Sequence, residues 1–341
     1  MKKILIISFL LFFLVSCGGT YSPDCAKPEP GDWSSPERIV KFFDPVWGKG
    51  VLVLNTNVAG KYCYGFVTYV SEVSGPVKVI PIPRERGKSI ISGLAYDRKD
   101  GVIFTGERSE RKLYGVRYSD GKVIVRYSLD RNPLFVKYYD EIIWGGSVKK
   151  DVVALLTSAT PSHNQAALYL WEASSLLQGK GPFASYTLKM KMPAGMIYRD
   201  RRFFIVPYDT GDLEIIYPED GRKKLISFPY TSLSWGTTYI TYCTSIDEIC
   251  INSNSVKRIL LFDYHGERWD GDVDLGMKTY NFQDVNGDLY LSSYDPPGVF
   301  RFSAGEKIDV YTPEKYSFVV VDGNRVYVSD FNGDNFKVIE R

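Results

Sequence analysis

The chain has 341 residues, with 42 Lys and Arg against 40 Asp and Glu. This near balance argues against a nucleic-acid partner, because proteins that bind nucleic acids normally carry a clear basic surplus. Aromatic residues make up 15% of the chain and include 25 Tyr, which favours strands over helices.

The N-terminus has the pattern of an export signal. Met1-Lys2-Lys3 is basic, and residues 4–15 are apolar except for Ser8. This run has the length of a signal-peptide core and is too short to span a bilayer comfortably. It ends in Leu14-Val15-Ser16-Cys17, which resembles the bacterial lipobox. We therefore expect cleavage before Cys17 and anchoring to the lipid bilayer through fatty acids, such as palmitate, on that cysteine.

Three parts of the chain follow from this pattern. Residues 1–16 are predicted to be a lipoprotein signal peptide, residues 17–36 a lipidated tether rich in Gly, Pro and Ser, and residues 37–341 the folded body. Gly18, rather than an aspartate, follows the lipidated cysteine. By resemblance to enteric sorting rules, this favours an outer-membrane location in the cell envelope, facing the periplasm.

The body repeats one local pattern, in which a polar turn precedes a strand of β-forming residues. The intervals between successive repeats are 37–51 residues, the length of a β-propeller blade. These strands are predicted to start at Val51, Val102, Val152, Phe203, Ile249, Leu289 and Val326.

Each repeat continues into a second hairpin, as at the turn Ser119-Asp120-Gly121. Four strands in each of seven units predict an all-β, seven-bladed β-propeller with antiparallel blades. A short helix has room only in residues 166–177. The last unit shows three strands, so we expect residues 20–36 to supply a fourth that closes the ring.

Four cysteines besides Cys17 suggest two disulfides in an exported protein. A hairpin centred on Ile246-Asp247 would place Cys243 directly opposite Cys250, within bridging distance. Cys25 and Cys63 then pair by elimination. A metal site is the rival interpretation, but the chain offers only two histidines, in no recognisable spacing with the cysteines.

The last unit carries the best family resemblance. Residues 326–339, Val-Tyr-Val-Ser-Asp-Phe-Asn-Gly-Asp-Asn-Phe-Lys-Val-Ile, resemble the strand–Asp–turn–Asn–strand pattern of YVTN/NHL-type repeats in the quinoprotein-like and lactonase-like propellers. The resemblance implies the fold over about residues 38–341. It also implies an alternative activity, because lactonases of this type hold calcium at the central channel with Glu, Asn and Asp.

Candidate binding residues come from the loops after the second strands and between the blades. Because these positions are equivalent in every blade, they should ring one face. They are Asn57, Arg84, Glu107, Arg108, Arg131, Asp209, Asn254, Asp295 and Asp330. The alternating carboxylates Asp270, Asp272 and Asp274 are a weaker candidate for a calcium site, because an EF-hand loop needs more ligands.

No nucleophile with an adjacent base is recognisable, so no catalytic residue is assigned. We expect a membrane-anchored propeller that binds a protein or polysaccharide partner and needs no cofactor. The alternative is a calcium-dependent lactonase or hydrolase, for which bound calcium would be the sign.

Overall fold

The computed structural model describes residues 25–58, 61–82, 90–144, 148–208, 212–229, 239–303, 306–312, 317–331 and 333–341. Within these ranges the chain forms seven antiparallel sheets, and in each sheet the strands follow one another in sequence order. This confirms the predicted all-β, seven-bladed propeller. None of the helices in these ranges is both long and apolar enough to cross a membrane.

The first four blades span residues 36–227. Blade 1 contains β1 (Pro36–Asp44), β2 (Gly48–Asn55), β3 (Gly65–Ser71) and β4 (Gly75–Ile82). Blade 2 contains β5 (Ile91–Asp97), β6 (Val102–Glu107), β7 (Lys112–Arg117) and β8 (Val123–Ser128). Blade 3 contains β9 (Asn132–Trp144), β10 (Val148–Ser158), β11 (Ala167–Glu172), the short helix α1 (Ala173–Leu177) and β12 (Ala184–Thr187). Blade 4 contains β13 (Pro193–Arg199), β14 (Arg202–Pro207), β15 (Asp212–Ile216) and β16 (Lys223–Ser227).

The remaining three blades complete the ring. Blade 5 contains β17 (Ile240–Cys243), β18 (Glu248–Ser253), β19 (Arg258–Asp263) and β20 (Arg268–Asp274). Blade 6 contains β21 (Lys278–Val285), β22 (Asp288–Asp295), β23 (Pro297–Ser303) and β24 (Glu306–Tyr311). Blade 7 contains β25 (Ser317–Asp322), β26 (Arg325–Asp330) and β27 (Asn335–Glu340).

Burial changes from the second strand of a blade to the fourth. Every residue of β6 is buried, whereas most of β16 and β24 is exposed. The sequence explains the contrast, since Val-Ile-Phe in β6 suits a strand covered on both faces and Lys-Lys in β16 suits a solvated edge. The fourth strands therefore form the outer rim of the disc.

The core is divided among the seams between blades. The described residues form seven apolar clusters, and each cluster joins side chains from two neighbouring blades. The first strands contact one another around the ring, and β25 returns to contact β1. Modest sheets thus bury both faces by packing on their neighbours.

In the part of the chain that the structure describes, blade 7 has three strands, and the ring closes at the seam between blades 1 and 7. The described part of the N-terminal segment, residues 25–35, forms only an isolated bridge from Ala26 to Tyr62 in blade 1. The expected fourth strand is therefore wrong for residues 25–35, and residues 20–24 lie outside the described ranges. Pro28 and Pro30 lack the amide donors that a paired strand needs.

A packed side chain and ion pairs join the two blades instead. Trp33 stacks on Phe336 of blade 7, with ring centroids 4.8 Å apart. On the opposite side of the disc, Lys41 pairs with Asp322 at 3.1 Å. Because Trp33 belongs to the apolar cluster of this seam, its packing contributes to closure as well as to the core.

Replacing Trp33 with alanine is expected to lower the free energy of unfolding by about 2 kcal/mol, because a half-buried, stacked indole is lost from the closing seam. Trp47 provides the matched control, since its side chain is 47% exposed. Trp47→Ala should cost less than about 0.5 kcal/mol. Guanidinium unfolding of both variants measures the difference, and equal losses would show that Trp33 does not hold the seam.

Both expected disulfides are present. Cys25 bonds to Cys63, and Cys243 bonds to Cys250. The predicted register of the second pair is wrong, because Cys243 lies opposite Glu248 and Cys250 lies opposite Thr241. The turn contains the four residues 244–247, whereas the predicted turn contained only Ile246 and Asp247. The bridge therefore runs diagonally across the two strands, with a Cα–Cα distance of 6.0 Å.

Candidate binding face

One face of the disc carries the loops after the second strands together with the segments that enter the first strands. We call it the loop face. Backbone hydrogen bonds tie the two kinds of loop together, as when Arg108 N donates to Ile90 O and Tyr208 N donates to Met192 O. Residues 25–35 lie on the same face, since Cys25 is bonded to Cys63 in the loop between β2 and β3.

Four of the predicted binding residues hold loops in place. Asn57, Glu107, Asn254 and Asp330 are all buried. Asn57 Oδ1 accepts from Tyr62 N at 3.1 Å, and Asn254 Oδ1 accepts from Thr279 N at 2.8 Å. Glu107 Oε1 accepts from Ser109 N at 2.9 Å, and Asp330 Oδ1 accepts from Gly333 N at 3.1 Å. These side chains shape the loop face from below and present little surface to a partner.

The other predicted residues divide into four groups. Arg84 and Asp209 lie outside the described residues, as does Cys17. Arg131 is largely buried and donates through Nε to Gln165 O at 3.0 Å. Asp295 is exposed and pairs with Lys278 at 3.6 Å. Arg108 lines a cavity at the centre of the face.

The cavity at the mouth of the channel has a volume of about 340 Å³. Arg38 and Arg108 provide its positive charge, and Glu37 provides a carboxylate. Its rim also carries Ile90, Met192 and Tyr208, whose side chains are 38–40% exposed. Exposed apolar groups beside arginine are typical of surfaces that bind other molecules.

Below the mouth, a second cavity of about 130 Å³ follows the axis of the ring. Two cations face it. The guanidinium of Arg38 lies 5.0 Å from the centre of the Phe135 ring and 5.2 Å from that of Phe318. Lys137 lies further down the channel, where burial and the nearby charge of Arg38 lower the pKa of its amine to about 8.

A positive channel is a poor place for calcium, which needs six or more oxygen ligands. The charges of Arg38 and Lys137 would repel a divalent cation in this channel. Among the residues that the structure describes, no group of three or more His, Cys, Asp or Glu side chains is arranged to hold a metal ion.

The alternating carboxylates of β20 form ion pairs. Arg258 contacts Asp272 at 2.8 Å and Asp274 at 3.4 Å. Asp270 lies at a bulge, because Leu261 pairs with Gly271 and Phe262 with Trp269. Burial, together with the neighbouring Asp270, raises the pKa of the Glu248 carboxyl to about 7. Asp272 and Asp274 thus pair with Arg258, whereas Asp270 lies beside Glu248. The three carboxylates do not converge on one point.

Sequence reasoning missed the channel residues Arg38 and Lys137. A signal was present, since Arg38 is followed by Ile39-Val40 and Lys137 is preceded by Phe135-Val136, each on the first strand of a blade. First strands line the channel, so a cation there either faces the axis or needs a partner in the core.

Solved structures of other propellers superpose on the chain. Virginiamycin B lyase from Staphylococcus aureus, a catalytically inactive variant with quinupristin, has a TM-score of 0.64 and 12% identity, over 89% of this chain and 99% of the lyase. BamB from Moraxella catarrhalis has a TM-score of 0.56 and 10% identity, over 93% of this chain and 99% of BamB. The WD40 propeller domain of Doa1 has a TM-score of 0.61 and 14% identity, over 92% of this chain and 95% of the domain.

These likenesses establish the class of the chain, a seven-bladed β-propeller, and nothing finer, because propellers host unrelated functions. No protein-family model matches the sequence. No curated protein matches it either.

Proposed function

We propose that the chain is an exported lipoprotein, anchored to the cell envelope through Cys17, whose propeller binds a protein partner on the loop face. The single observation that carries this proposal is the position of the Cys25–Cys63 disulfide. It fixes the chain that follows the predicted anchor to the same face that bears the channel mouth.

The disulfide limits how far the loop face can lie from the membrane. Eight residue steps separate Cys17 from Cys25, and an extended chain covers about 3.5 Å for each step. The edge of the loop face therefore stays within about 30 Å of the lipid. A partner that meets this face would itself be at or near the membrane surface, which favours another envelope protein.

The chemistry of the rim favours protein over polysaccharide. Met, Tyr and Arg are enriched at protein interfaces, and the channel mouth exposes Met192 and Tyr208 beside Arg108. The calcium-dependent hydrolase gains no support from the channel, since Arg38 and Lys137 face its axis.

The anchor is tested by Cys17→Ser. The variant is expected to move from the membrane fraction to the soluble fraction, because an unmodified serine cannot carry the acyl chains. Metabolic labelling with a palmitate analogue provides the second readout. A Cys17→Ser protein that stays in the membrane fraction would contradict lipid anchoring at this residue.

The binding face is tested by photo-crosslinking in intact cells. p-Benzoylphenylalanine in place of Tyr208 samples the loop face, and the same probe in place of Val73 samples the opposite face, where that side chain is 89% exposed. We expect envelope proteins to crosslink to the first probe and not to the second. Crosslinks that form only from the Val73 position would show that the partner binds the opposite face, which would contradict the proposal.

A further inference from the structure

Among the described residues, Arg38 and Lys137 are the charged side chains that line the channel cavity, and no acidic side chain lines it. Arg38 has one acidic neighbour in the structure, Glu37, whose carboxylate lies 3.5 Å from Arg38 Nε. Among the described residues, no acidic group acts on Lys137. The charge that acts on Lys137 comes from Arg38, and it has the same sign.

Such an arrangement is costly without a counter-ion. The Arg38 side chain is only 14% exposed and lies between two aromatic rings. Desolvated like charges destabilise each other far more than they do in water, and a bound anion relieves both. Burial is the main cause of the lowered pKa of the Lys137 amine, and the charge of Arg38 lowers it further.

The walls show what kind of anion fits. The channel cavity and the mouth cavity share Arg38, Phe135 and Ala194 in their linings, so they adjoin. The inner cavity is large enough for a carboxylate-sized group at about 130 Å³. The mouth, at about 340 Å³, has the size of a small-molecule pocket and is lined largely by apolar side chains: Ile90, Leu134, Phe135, Met192, Pro193 and Ala194.

We propose that the channel binds a carboxylate attached to an apolar group, with the carboxylate between Arg38 and Lys137 and the apolar group in the mouth. Arginine binds carboxylates through paired N–H donors, and lysine adds a point charge. A free acid and the C-terminal carboxylate of a partner protein share this chemistry. Binding is measured on the isolated protein, so the result does not depend on whether Cys17 carries a lipid.

Isothermal titration calorimetry with 3-phenylpropionate tests the proposal. We expect a dissociation constant below about 1 mM. The neutral 3-phenylpropanamide should bind at least about tenfold more weakly, because it loses the charge-assisted hydrogen bonds. Equal affinities would show a purely apolar pocket, and no binding of the acid would overturn the site. Inorganic phosphate binding as tightly as the acid would overturn the role of the apolar group.

Variants locate the carboxylate. Arg38→Met and Lys137→Met should each weaken binding of 3-phenylpropionate at least about tenfold. Arg38→Lys keeps the charge but loses the paired donors, so it should weaken binding less than Arg38→Met. Lys149→Met removes an exposed cation from the outer surface, where it pairs with Glu141, and should leave binding unchanged. Unaltered affinity in both channel variants, with circular dichroism confirming the fold, would place the anion elsewhere.

The two sources of carboxylate are separated with a peptide. The tetrapeptide Gly-Gly-Ala-Phe offers a C-terminal carboxylate on an apolar residue, and its C-terminal amide lacks the charge. Tighter binding of the peptide than of 3-phenylpropionate would indicate a partner C-terminus as the ligand. Weaker binding of the peptide would indicate a free acid, because the longer chain then adds a steric cost at the mouth.

Discussion

Replacing both Cys25 and Cys63 with serine is expected to lower the free energy of unfolding by about 4 kcal/mol. The two cysteines are 38 residues apart in sequence, and a cross-link restricts the unfolded chain more strongly as the closed loop lengthens. The double variant should also expose residues 26–35 to proteases, because the N-terminal segment loses its fixed point on the loop face. Guanidinium unfolding, followed by tryptophan fluorescence, measures the first effect and limited proteolysis the second.

The other disulfide is the matched control. Cys243 and Cys250 are only 7 residues apart, so the same chain-entropy relation predicts a loss of about 2 kcal/mol for the serine pair. Intact mass should also be lower by about four hydrogens than the value for free thiols, since each bridge removes two. Equal losses of stability in the two double variants would mean that native contacts, rather than restriction of the unfolded chain, determine what each bridge contributes.

The blades were predictable from sequence because their signal is local. Each predicted second strand, from Val51 to Val326, lies within or begins the second strand of its blade, and polar turns precede them all. Gly101 and Gly323 adopt φ values of 65° and 55° in two such turns, a conformation that glycine takes at little cost. Turn chemistry and alternation need no knowledge of the rest of the chain.

The role of the loop residues was not predictable, because one residue type serves two purposes. Asn57 adopts φ 53° and bonds to the backbone of its own loop. Asparagine and aspartate have the same ability when they contact a ligand. The sequence placed these residues in loops on one face of the disc, and only the structure shows that Asn57 and Asn254 are buried.

The channel pair was unpredictable for a different reason. Arg38 belongs to blade 1 and Lys137 to blade 3, and only closure of the ring brings them to one axis. No spacing along the chain encodes that approach. The register of the Cys243–Cys250 hairpin depended similarly on the length of its turn, which sequence alone left ambiguous.

Replacing Gly93 with alanine is expected to destabilise the protein by more than about 3 kcal/mol, because two separate penalties coincide there. Gly93 lies in β5 with φ +73°, a conformation that disfavours any Cβ. An added Cβ would also lie 2.5 Å from Val136 N and 3.2 Å from Phe135 Cα. Since these are backbone atoms of β9, rotation of a side chain cannot relieve the contact, and the two strands would have to separate.

Gly75 isolates the first penalty, the strain of the backbone conformation. Its φ is +72°, nearly identical to that of Gly93, but an added Cβ there meets nothing within 4 Å. Gly75→Ala should therefore cost only about 1 kcal/mol, the strain of the backbone conformation alone. Chemical denaturation of the two variants gives the difference, and similar losses would mean that β5 and β9 can move apart freely.

Because Phe135 and Lys137 flank Val136 in β9, separation of these strands would also displace both channel side chains. A Gly93→Ala protein that still folds should then bind 3-phenylpropionate more weakly, while Gly75→Ala retains full affinity.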